Sequence, residues 1–182
     1  MESPESWADY LRTFPDSPKA EAADFRRIRL LCRAQRQPPR REVEPWPRSM
    51  VPAGGRTIGI PRTGPMDPAP LLAEIAGHRD RFHPARYDGE LRLLEAGARD
   101  DAGEPARALT LIASVLLEPG ARDLHQDAGM LLQSHAVRLI DPGTRPGALD
   151  AFRKSPEALD LLRKLIAGRS FLSRLQPMLM EL

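Results

Sequence analysis

Apolar residues recur every three or four positions along most of this chain, and Ser, Pro and Gly punctuate the ends of the runs. Trp7, Tyr10, Leu11 and Phe14 share one side at 100° per residue, behind Ser3 as N-cap and Pro4 at the first helical position. That spacing predicts a short first helix. Pro15, Asp16 and Ser17 break it, and Ser17–Pro18 restarts a second helix through Ala22, Phe25, Ile28 and Cys32 to about Gln37. Arg26, Arg29, Arg33 and Arg36 fall together in an adjoining sector, so this helix reads as amphipathic and basic at once.

Between Pro38 and Pro70 the periodicity disappears. This stretch holds nine of the 19 prolines, with glycines at 54, 55, 59 and 64. Proline removes backbone donors and biases its predecessor toward extended conformations, which predicts a polyproline-like arm. Trp46, between Pro45 and Pro47, together with Ile58 and Ile60, would anchor that arm on a partner surface. A strand or turn around "GGRTIGI" is the one β-like element expected. The division is therefore an N-terminal helical segment (1–37, basic at its end), a Pro/Gly-rich arm (38–67) and a helical domain (68–182).

Past Pro70 the 3.6 period returns. "PLLAEIAGHRDRF" offers Leu71, Leu72, Ile75 and Phe82, and "YDGELRLLEAGARDD" offers Leu91, Leu94 and Ala98. "EPARALTLIASVLLEPG" has Pro105 in its first turn and Pro119–Gly120 past its end, and its apolar residues cover most of the circumference. Such a helix must be surrounded by neighbours. A further stripe, Leu124, Ala128, Leu131, His135 and Leu139, ends at "DPG". "SPEALDLLRKLIAG" then shows Ser155 as N-cap, Pro156 at the first position, Leu159, Leu162 and Ile166 on one face, and Gly168 as stop. The expected fold is all-α, built of antiparallel helical hairpins behind an extended Pro-rich arm.

Within about residues 90–140, Ala108, Ile112, Val115 and Pro119 follow the small, large, small and proline order of a tetratricopeptide second helix. Leu124, Ala128–Gly129 and Leu132 follow the pattern of that family's first helix. The segment resembles tetratricopeptide-like repeats over about one and a half units. Pro119 stands one residue early, and Arg92 and Arg99 stand where the family has large apolar groups. The resemblance implies a stacked-helix scaffold that binds peptides or partner helices.

Composition narrows the class. Net charge is +2, yet residues 26–62 hold ten Lys/Arg against two acids, while residues 1–25 hold two against six. Arginine outnumbers lysine 24 to 3, the mark of a GC-rich genome and an expected bacterial source. No run approaches the roughly 20 apolar residues of a membrane span. The acidic start "MESPESWADYL" lacks a secretory n-region, so the cytoplasm is the expected compartment. Cys32, the single cysteine, allows no internal disulfide and reads as a small core side chain.

Candidate chemistry is sparse. His78 and His83 are five apart and His125 and His135 ten apart, so neither pair shares a helical face, and no metal or cofactor is expected. His135 reads as a core histidine donating to a carbonyl, and Asp100–Asp101 as a solvated turn. An enzyme would require distant residues such as His78, His135 and Asp123 to converge. The closing "SFLSRLQPMLMEL" places Phe171, Leu172, Leu175, Met178, Leu179 and Leu182 on a tail that must bury itself against its own domain or in a partner's groove. The expected function is a non-enzymatic adaptor, chaperone or assembly subunit that binds another protein. The alternative is a nucleic-acid-associated accessory protein using Arg26, Arg29, Arg33, Arg36, Arg40 and Arg41.

Overall fold

The computed structural model describes residues 3–36, 67–140 and 148–167. Among them the chain is all-α: α1 (Pro4–Thr13), α2 (Ala20–Arg36), α3 (Ala69–Arg81), α4 (Asp88–Asp101), α5 (Pro105–Leu117), a 3₁₀ segment (Pro119–Leu124), α6 (His125–Ile140), α7 (Ala148–Arg153) and α8 (Pro156–Ala167). No described helix is long and apolar enough to cross a membrane. The arm residues Trp46, Ile58 and Ile60, the strand or turn expected at "GGRTIGI", and the tail from Phe171 to Leu182 lie outside the described residues.

Local chemistry sets the helix ends. The Ser3 hydroxyl accepts from the Ser6 amide while the Ser6 hydroxyl accepts from the Ser3 amide, a capping box with Pro4 at the first position. α2 begins at Ala20, two residues later than the Ser17–Pro18 signal suggests, because residues 18–19 form a turn in which the Ser17 hydroxyl accepts from the Lys19 amide. α4 ends in a Schellman arrangement: the Glu104 amide reaches the Arg99 carbonyl, the Gly103 amide reaches the Asp100 carbonyl, and Gly103 takes φ +80°. An Arg99–Glu104 ion pair of 3.1 Å closes this turn where an apolar contact usually does.

Three apolar clusters hold the helices together. In the first, Leu11 is buried against Ala20 and Ala23, with Trp7, Tyr10 and Phe82 alongside, and the small alanines let α1 lie close to α2. Burying Leu11 contributes roughly 1.5–3 kcal/mol. Phe14 does not join this face; it caps α1 and is exposed. In the second, Phe25, Ile28 and Cys32 of α2 pack on Leu71 and Ile75 of α3 and on Leu91 and Ala98 of α4, so the N-terminal hairpin shares a core with the helices beyond the arm. The third surrounds α5, where Ala108, Leu109, Ile112, Ala113, Val115 and Leu116 are all buried. Neighbours on α4, α6, α7 and α8 cover it, and Phe152 and Leu165 close the far side.

On α6 the expected Ala128, His135 and Leu139 are buried, with Leu132 and Ala136 beside them, and Leu124 and Leu131 are half-buried against the same core. α8 buries Ala158 and Leu165, with Leu159 and Leu161 packed against the core on the flanks. α7 has too few residues for its period to announce it.

Candidate functional site

The chemistry-bearing side chains gather at two joints between helices. At the first, Asp24 and Arg27 stand one turn apart on α2, and Glu74 and His78 one turn apart on α3. His78 Nδ1 donates to Asp24 Oδ2 at 2.9 Å, since a carboxylate only accepts. Arg27 donates to the other oxygen of Asp24, with Nη2 2.9 Å away, and pairs with Glu74. Asp24 and His78 are buried. Burial pushes the Asp24 carboxyl up, but hydrogen bonds from His78 and Arg27 outweigh it and leave the group below the usual carboxylate value. The same contacts, the Glu74 hydrogen bond first among them, raise Arg27.

At the second joint, adjacent acids close α4 and two basic side chains face them from α6. His135 Nδ1 donates to Asp100 Oδ1 at 2.9 Å, and Arg138 bridges Asp100 at 2.8 Å and Asp101 at 2.7 Å. Burial pushes Arg138 down; Asp101 and Asp100 more than reverse this, so its value is raised. Asp100 is therefore buried, not part of a solvated turn. His135 donates to a carboxylate, not to a carbonyl. Both acids face inward because α6 presents a hydrogen-bond donor at each end of the turn 135–138.

In both joints the imidazole is oriented as in an Asp–His catalytic pair, with Nδ1 on a carboxylate and Nε2 pointing away. Here, however, each Nε2 is buried and makes no hydrogen bond among the described residues. The His78 ring centre lies 4.9 Å from that of Phe82, and His135 meets Phe152 edge-on at 6.4 Å. The two histidines sit in separate joints, and Asp123 is exposed in the 3₁₀ segment, so the three do not converge. Among the described residues no group of three or more His, Cys, Asp or Glu side chains is arranged to hold a metal ion. Cys32 is buried. A shallow cleft between α5 and α8, lined by Ala106, Thr110, Ala158 and Leu161 and rimmed by Arg107 and Lys164, touches neither joint.

Of the basic residues read from the sequence, Arg26, Arg29 and Arg33 are exposed on the outer face of α2. Arg36 ends that helix, its side chain outside the description, and Arg40 and Arg41 lie outside the described residues. The sequence missed both joints, whose members are 54 and 35 residues apart. The local signals are Asp24 and Arg27, Glu74 and His78, and His135 and Arg138, each pair one turn apart. Compared with protein-family models, curated proteins and solved structures, the chain matches none.

Proposed function

We propose that this chain is a non-enzymatic, protein-binding subunit: an adaptor, chaperone or structural component of a larger assembly. One observation carries the reading. Both histidines geometrically suited to acid–base work turn Nε2 into the packed interior against an aromatic ring, where no substrate atom reaches. Their carboxylate partners hold helices together, and the surface offers helix faces and the cleft between α5 and α8. The tetratricopeptide-like order in about residues 90–140 fits a scaffold of this kind.

The test is purification of the tagged full chain from its own cells, identification of a co-purifying protein, and reconstitution from the two purified components. A complex of fixed stoichiometry at micromolar concentration or below is expected. A chain that reconstitutes with no partner, or that turns over a small molecule and loses this turnover on His78→Gln or His135→Gln, contradicts the reading. Deleting residues 170–182 locates the contact: partner lost with helicity retained places it on the tail.

A further inference from the structure

We infer that the outer face of α2, with the turn that precedes α4, is a binding site for single-stranded nucleic acid. This rests on a surface separate from any protein-binding cleft. Four exposed arginines each lie over an aromatic ring: Arg26 over Trp7 at 5.3 Å, Arg29 over Phe25 at 5.8 Å, Arg81 over Phe82 at 5.5 Å and Arg86 over Tyr87 at 5.8 Å. The rings are themselves joined. Phe25 and Tyr87 stack at 4.4 Å with 4° between their planes, and Trp7 and Phe82 share the small core beneath α1. Arg33 extends the row one turn along α2.

None of these five arginines has a carboxylate partner among the described residues, whereas Arg27, Arg79, Arg92, Arg99, Arg107 and Arg138 are all ion-paired. Glu21 accepts from the Arg86 backbone amide. Arg26, Arg29 and Arg33 are exposed along the outer side of α2, and Arg81 and Arg86 are exposed at and after the end of α3. A ring beneath a guanidinium limits its motion and leaves its outer face and its N–H edges toward solvent.

Those two features call for different partners. The edges suit phosphate or carboxylate, but the outer planar face suits a stacked base, and a nucleotide chain alternates flat rings with fixed negative charge. Arg26, Arg29 and Arg33 span about 10 Å of helix axis at about 1.5 Å per residue, matched by about three nucleotides of a strand kept stacked at the duplex rise of about 3.4 Å each. Three or four phosphates contacted gives a log–log salt slope of about −2 to −3 for a single strand.

The experiment is fluorescence anisotropy of a labelled oligothymidylate titrated with the full chain across a salt series. Binding at low salt with that slope is expected. In the Arg26→Gln/Arg29→Gln/Arg33→Gln variant the affinity falls at least about tenfold and the slope loses about 0.7 per contact removed. Unchanged circular dichroism verifies that the variant is folded. An Arg36→Gln/Arg40→Gln/Arg41→Gln variant serves as the control and keeps at least part of the affinity. Four results overturn the site: no complex at micromolar protein in low salt; a first variant that binds as tightly as the natural chain; binding that depends only on the control arginines; or duplex DNA or polyglutamate bound as well as the single strand. No protein partner enters the titration, so its outcome is independent of the function proposed above.

Discussion

The joint between α2 and α3 and the joint between α4 and α6 use the same four parts, two acids, one arginine and one histidine, but distribute them differently. In the first, each helix carries its own acid and its own base: Asp24 with Arg27, and Glu74 with His78. In the second, both acids sit on α4 and both bases on α6. In each joint one buried carboxylate serves a histidine and an arginine, and the arginine is shared with a second acid; the difference is that Arg27 is 18% exposed and Arg138 40%. A buried ion is costly to strand, and access to water limits that cost. The first joint is therefore expected to be the more brittle, and it fastens the N-terminal hairpin to helices that follow the 37–66 segment.

Substitutions test that asymmetry. Asp24→Ala strands His78 Nδ1 and deprives Arg27 of one partner in the interior, and an expected loss of about 3–5 kcal/mol would appear in chemical denaturation. Asp100→Ala should cost less, about 1–3 kcal/mol, because Arg138, more exposed than Arg27, turns to water while still meeting Asp101 at 2.7 Å. Equal losses would erase the distinction.

Acid sharpens the comparison. Asp24 has a folded value below the free carboxylate value of about 3.9. Its contribution is complete above that free value and is lost as the pH falls through the lower folded one. The stability gap between the natural chain and Asp24→Ala should therefore hold constant from neutral pH to about pH 4 and narrow below it. At the turn that closes α4 beside the second joint, Gly103→Ala forces a side chain into φ +80° and should cost about 1 kcal/mol by thermal unfolding. The exposed Arg12–Asp9 pair marks the floor: Arg12→Ala should change stability by less than about 0.5 kcal/mol.

What the sequence disclosed follows from what is local. Ser3–Pro4 and Ser155–Pro156 announced α1 and α8 to the residue because caps and first-turn prolines act within a few positions. The apolar girdle of α5 announced a helix enclosed by others. Leu159, expected on the core side of α8, packs there, and beside it lies the smaller Ala158, which a periodicity weighted by size passes over. The joints were invisible for a different reason. A buried Asp next to Asp and Gly looks like a turn until the facing helix supplies His135 and Arg138, and nothing local specifies which helix that is. Likewise the row Arg26, Arg29 and Arg33 was legible, but its rings on α1 and before α4 were not.

The histidine–carboxylate pairs join helices to one another. A double-mutant cycle of Asp24→Ala and His78→Ala, measured by denaturant unfolding, tests this most directly. A coupling of roughly 1–3 kcal/mol, with the α2–α3 contact as its source, is predicted. Additivity to within about 0.3 kcal/mol would contradict it.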